Sequence, residues 1–177
     1  MIKKERDDLV EFNLFQTIVF VLFIINLVVL TIYDFRYKAV PDYLLLFSFL
    51  TSFFITKLDI YEALQSAFIV AGAFVILNFL VTFYIQNIKS RLLKDESLKT
   101  QMALGEGDIP LIASFSVILG VYNTFIAIFL SAILTIFYAI YLKNRKNEIE
   151  IPFIPFLVFG FLLEYFFNLS NIIKDFY

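Results

Sequence analysis

Two short acidic stretches hold most of the chemistry available to this chain. Gly105-Glu106-Gly107-Asp108-Ile109-Pro110 is polar, bears two glycines and runs directly into an apolar segment. Asp34-Phe35-Arg36 ends another apolar segment and is followed by Pro41-Asp42. A carboxylate pressed against hydrocarbon is costly, so an acid at such an edge is a functional-site candidate. Composition narrows what these acids could do. The chain has no cysteine and no histidine. That excludes disulfides, thiol nucleophiles, Ser-His and Cys-His catalysis, and metal centres built on Cys or His. Asp, Glu, Lys and Tyr remain for acid–base work, and no cofactor or metal is called for. The net charge of −2 gives no pull toward nucleic acid.

The elements that must position these acids are apolar helices. Of 177 residues, 61% are hydrophobic and 24 are Phe, with a mean hydropathy of +0.87. Soluble domains run nearer 45–50% apolar. The reading is an all-α integral membrane protein, one domain over 1–177, built as a bundle of six transmembrane helices. After a charged start, Met1–Glu11, the first span covers about 14–33, long enough to cross a bilayer and without a cleavage site behind it. Pro41 suits the first turn of a second span over 43–56. A third, 60–85, carries Gly72 and alanines at 63, 67, 71 and 73, a small-residue face suited to close helix packing. The longest polar loop follows, with a short amphipathic helix expected over Ser90–Leu98.

From Ile109 to Leu142 the chain stays apolar. A single helix of that length would measure about 51 Å against a hydrocarbon core of about 30 Å. The chain must therefore turn back, and Gly120-Val121-Tyr122-Asn123 is the place. This divides it into a fourth span, 109–120, and a fifth, 125–142. The fourth is too short to face lipid alone and is expected to be buried. A sixth runs over 152–169. Loops after spans one, three and five carry Arg36 and Lys38, then Lys89, Arg91, Lys94 and Lys99, then Lys143, Arg145 and Lys146. They outnumber the basic residues of the other side, which places them in the cytoplasm and both termini outside. Whichever side is which, Asp34 ends span one and Asp108 begins span four. Two spans lie between, so the two carboxylates share one face of the membrane.

These residues resemble a known family. Asp34-Phe35-Arg36 with Pro41-Asp42 resembles the first catalytic motif of the type IV prepilin peptidases. Gly105-Glu106-Gly107-Asp108 is similar to their Gly-x-Gly-Asp motif, and Pro152-Phe153-Ile154-Pro155 to the Pro-Phe-x-Pro element of bacterial members. The resemblance implies a membrane aspartic endopeptidase of the cell membrane. Its partners would be prepilin, pseudopilin or archaellin precursors, whose positively charged leader is cut at the cytoplasmic face, together with membrane lipids. The catalytic aspartates would be Asp34 and Asp108. The large bifunctional members carry an N-terminal cysteine-bearing region linked to methylation, which points here to a peptidase-only form. Archaellin-type peptidases and general intramembrane aspartyl proteases share the chemistry. A small proton-coupled transporter is the competing class, although no repeat of two related halves is visible.

Two carboxylates sharing one proton can hydrolyse a peptide. One accepts a proton from water while the other polarises the scissile carbonyl. Asp108 begins a helix, where the macrodipole favours negative charge, and Asp34 ends one. Asp34 is accordingly expected to hold the shared proton. Gly105 and Gly107 are read as allowing close approach of a substrate backbone and unusual dihedrals. Arg36 and Lys38 are placed beside the site, Asp42 as a first-turn acid of span two, and Pro152 and Pro155 at the entry of span six. Taken singly, Asp108 would be a helix cap and Asp34 an interfacial acid. Asn26 and Asn78 read as interhelical hydrogen-bonders and Glu164 as an interfacial or water-facing carboxylate.

Overall fold

The computed structural model describes residues 2–93, 105, 107–143 and 151–170. All regular structure among them is helical: α1 (Ile2–Tyr37), α2 (Asp42–Ile55), α3 (Ile60–Phe83), a π-helical turn (Tyr84–Lys89), α4 (Ser90–Leu93), α5 (Asp108–Lys143) and α6 (Ile154–Phe167).

α1 does not stop at Tyr33. It continues through Asp34 and closes its last turn with a bond from the Lys38 N–H to the Asp34 carbonyl, 3.0 Å. The exit is made by Lys38 itself, at φ 53, the left-handed conformation that ends many helices. Pro41 then disfavours helix in the residue before it. Asp34 is therefore held on a rigid helical turn and not on a loop. Pro41 serves as N-cap of α2, with its carbonyl accepting from the Leu44 and Leu45 N–H groups.

The structure shows where the long apolar run reverses. Gly120 has φ 78 and ψ 173 in the middle of α5, a conformation open to glycine and strained for other residues. The Thr124 hydroxyl donates to the Gly120 carbonyl at 2.6 Å and starts the second half of the element. Contacts with α6 establish the fold-back. Ile154 Cδ1 lies 3.8 Å from where a Gly107 Cβ would stand, and the Phe156 ring packs on Tyr138 at 5.2 Å. On one straight helix, positions 107 and 138 would be about 46 Å apart. Both nonetheless reach α6 within two residues of each other. At the opposite end, the Thr56 hydroxyl donates to the Val117 carbonyl at 2.6 Å, so the first half of α5 runs alongside α2.

That first half is the axis of the molecule. Every residue from Leu111 to Ile118 is buried, and α5 packs on α2, α3 and α6 while α1 packs on α2 and α6. Phe115 stacks on Phe161 at 4.2 Å, and Phe23 meets both rings edge-on. All three are at most 1% exposed. They tie α1, α5 and α6 together in mid-bundle. Asn26 joins α1 to α2, donating to the Leu44 carbonyl at 2.9 Å and the Ser48 hydroxyl at 2.7 Å. Asn78 accepts from Thr82 one turn along the same helix.

The exterior is apolar. Phe68, Phe79, Phe129 and Phe137 are each more than 60% exposed. Three helical stretches, Leu14–Tyr37, Ile60–Leu92 and Asp108–Leu142, are long and apolar enough to cross a membrane, and α2 and α6 are shorter apolar helices. Such a surface belongs to a membrane-embedded protein. The helical stretch begun by α3 also runs past residue 85, through the π turn to Leu93. Residues 94–98 of the expected amphipathic helix lie outside the described residues.

Two expectations are corrected. Gly72 has nothing within 4 Å of a built Cβ, so it makes no close helix crossing, although Ala63 and Ala67 are buried against Val117. The close crossing is instead at Gly160 of α6, where a Cβ would overlap the Ser131 hydroxyl and the Ala127 carbonyl of α5. Glu164 is fully buried, not water-facing. Its carboxylate accepts the Ser170 N–H at 3.3 Å, compensating burial locally by capping the chain beyond α6. Gly160→Leu is expected to lower the melting temperature of the detergent-solubilised protein by several degrees, on the scale of an overpacked core. Gly72→Leu should leave it within a degree or so. Equal melting temperatures for the two variants would contradict the crossing.

Candidate active site

Asp34 and Asp108 arrive at one cavity from different elements. Asp34 projects from the last turn of α1 and Asp108 from the first turn of α5. They are 8% and 6% exposed, and both line a cavity of about 280 Å³ with Lys38, Asp42, Gly105 and Gly107. Two nearly buried carboxylates facing one small space repel when both are ionised, so they hold protons as a unit.

Each carboxylate is compensated by one backbone donor from a separate segment. Asp34 Oδ2 accepts the Ile154 N–H at 3.0 Å. Asp108 Oδ2 accepts the Gly105 N–H at 3.1 Å, while the Asp108 N–H donates to the Gly105 carbonyl at 3.2 Å. This reciprocal pair has the form of a capping box, with Gly105 in the cap position. The Ile154 contact changes the electrostatic reasoning about Asp34. That carboxylate sits at the C-terminus of α1, but also at the N-terminus of α6, whose first-turn N–H points at it. Both acids therefore face a helix N-terminus. The premise for placing the shared proton on Asp34 is gone.

Ile154 was missed as a site residue because its contribution is a main-chain N–H, which no side-chain pattern reports. The signal lay around it. Pro152 and Pro155 flank Phe153-Ile154, and prolines have no N–H to offer. Pro155 lies in the first turn of α6, where a missing donor costs nothing. The two prolines set the chain entering α6, and Ile154 supplies the donor. Neither proline lines the cavity.

The glycines also have a packing role. A Cβ on Gly107 would overlap Val40 Cγ2 and stand 3.4 Å from Leu45 Cδ1. Gly107 is thus a packing glycine, pressed by the protein's own connection between α1 and α2. A Cβ on Gly105 would stand 3.2 Å from Asp108 Oδ2, tight against the carboxylate that its N–H holds. Arg36 does not line the cavity; its guanidinium lies 5.4 Å from the Tyr37 ring centroid. Asp42 does line it, is exposed, and its carboxylate has no hydrogen bond or ion pair among the described residues. It was read as a first-turn helix acid. It begins α2 as expected, but its position also gives the cavity a third carboxylate.

The packing at Gly107 makes a two-step test. Gly107→Ala should displace the 105–108 turn and reduce activity by about tenfold or more, as for a displacement of about 1 Å at a reacting group. Val40→Ala in the same chain vacates the overlapped atom and should restore much of the loss. A double variant no more active than Gly107→Ala would rule out the Val40 contact as the cause.

The comparisons with known proteins come down to one match. No curated protein and no solved structure matches the chain. The sequence profile of the type IV leader peptidase family matches residues 21–140, which include both carboxylates and the glycines between α4 and α5. By that match, over more than half its length, the chain belongs to the type IV leader peptidase family, a family of membrane proteases.

Proposed function

We propose that this protein is an aspartic endopeptidase that removes the basic leader from type IV prepilin-like precursors at the cytoplasmic face of the cell membrane. The observation that carries the reading is the convergence of Asp34 and Asp108, each nearly buried, on one cavity. The chain has no His or Cys to activate or supply a nucleophile. One carboxylate accepts a proton from a water molecule, and that water attacks the scissile carbonyl. The other, protonated, donates a hydrogen bond to the carbonyl oxygen and afterwards passes its proton to the departing amine. The two backbone N–H groups hold the carboxylates in place while the proton moves between them.

The reversal at Gly120 supports six crossings in this reading: α1, α2, α3, the two halves of α5, and α6. The excess of basic residues in the loops on the carboxylate side supports a cytoplasmic site. Asp42 suits a substrate whose leader is positively charged. It is a rim carboxylate outside the water-activating pair, free to face a Lys or Arg just before the scissile bond.

Co-expression with a type IV prepilin should yield the shortened mature form by a mobility shift. Asp34→Asn and Asp108→Asn should each lower cleavage by at least about 10³-fold. Either Asn keeps an acceptor for its backbone N–H, so membrane insertion and expression should be unchanged. Cleavage by either variant at the wild-type rate would end the two-aspartate reading. Asp42→Lys should raise KM about fivefold with kcat little changed. A precursor with its last leader basic residue changed to Glu should recover that loss. A fall in kcat with no such recovery would show that Asp42 does not contact the leader.

A further inference from the structure

At the end of the bundle opposite the carboxylates, a second cavity opens between α1, the end of α2 and α6. It measures about 380 Å³ and is lined by Gln16, Thr17, Phe20, Ile55, Lys57 and Tyr165. Its position follows from the chain. Lys57 lies just past α2, in the turn to α3, and that turn reaches the reversal at Gly120, where Leu58 Cδ1 stands 3.7 Å from a built Cβ. This cavity belongs to no part of the proteolytic site. Its lining divides into two kinds. Gln16, Thr17, Lys57 and the Tyr165 hydroxyl are polar, and Phe20 and Ile55 are apolar. Lys57 is its only charged group among the described residues.

Three of the polar side chains are available to a ligand. No hydrogen bond or ion pair joins the side chain of Gln16, Lys57 or Tyr165 to another described residue. Tyr165 is nonetheless held in place, stacked on Phe20 at 5.0 Å and on Phe161 at 5.7 Å. An ammonium, an amide and a phenol on a fixed ring, drawn from three elements, line this one cavity and offer donors to an anionic group. A cation with neutral donors suits a phosphate. The apolar half says which kind. Phe20 and Ile55 form one wall, and beside it Phe15 and Phe54 meet edge-on at 6.1 Å while each stays more than half exposed. A free phosphate has no use for that surface, whereas an acyl chain descending from a headgroup does.

We propose that this cavity is a binding site for the phosphodiester headgroup of an anionic membrane phospholipid. Lys57 and Tyr165 engage the phosphate, Gln16 takes a headgroup or ester oxygen, and one acyl chain lies along Phe20, Ile55 and Phe54. The site pins the far ends of α1, α2 and α6, and its occupancy does not depend on the proteolytic reading.

Native mass spectrometry of the full chain in detergent tests it, with dioleoylphosphatidylglycerol, dioleoylphosphatidylcholine, dioleoylglycerol and inorganic phosphate as separate probes. Wild type should retain phosphatidylglycerol, with Lys57→Gln and Tyr165→Phe each weakening retention about tenfold, as for loss of one hydrogen bond to a charged group. Lys57→Arg should keep it. Lys89→Gln, which removes a basic residue from the other face, should have no effect. Both weakening variants alter partly or fully exposed side chains, and an unchanged melting temperature without lipid will show that they fold. Equal retention of dioleoylglycerol, or wild-type retention of phosphatidylglycerol by Lys57→Gln, would overturn the proposal. Inorganic phosphate displacing phosphatidylglycerol at equal concentration would also overturn it, by making the site one for free anions.

Discussion

The structure depends on how it holds two carboxylates out of water. Asp34 and Asp108 each accept a backbone N–H, from Ile154 and from Gly105, in a cavity that Lys38 also lines. A neutral N–H, worth about 1.5–3 kcal/mol to a charged acceptor, steadies the group and leaves it able to take a proton. The two donors come from the start of α6 and from the turn before α5. The cavity therefore exists only when α1, α5 and α6 are correctly packed. Stability and chemistry share the same contacts.

That coupling explains the division of labour among the glycines. Gly120 provides a backbone conformation that other residues resist, and so turns an apolar run back on itself. Gly160 lets α6 come within backbone distance of α5 and so brings Ile154 toward Asp34. Gly107 makes room for Val40, which seats the connection carrying Lys38 and Asp42. Each acts on a neighbouring element. The buried aromatic contact of Phe23, Phe115 and Phe161 lies on the same three helices and keeps their depth in register below the cavity.

Much of this was legible beforehand, for identifiable reasons. An apolar run longer than a bilayer must reverse, so a glycine in its middle marks the turn. A short apolar helix cannot face lipid alone, so the first half of α5 had to be interior. Two apolar helices, an even number, separate the two acids in the chain, which lets them share one cavity. Side-chain patterning failed where the deciding atoms belonged to the main chain. The Ile154 N–H, the left-handed exit at Lys38 and the Val40 contact at Gly107 carry no residue-type signature. Glu164 was misjudged for a related reason. Its partner is the Ser170 N–H, and a carboxylate with a local backbone donor can be buried where composition predicts exposure.

The amino-acid sequence alone determined that this is a helical membrane protein, marked the glycine where its long apolar run turns, and limited the residue types left for acid–base work. Those properties follow from composition and length, which no packing can alter. Only the tertiary structure decided how Asp34 and Asp108 are held, because their compensating donors come from segments distant in the chain. It also decided that Asp42 reaches the cavity rim while Arg36 turns away, and that Gly160, not Gly72, is the close crossing. Direction and contact depend on how helices rotate about their axes. With nearly every face of these helices apolar, hydrophobic patterning leaves that rotation open, and the few close fits at glycine and backbone N–H settle it.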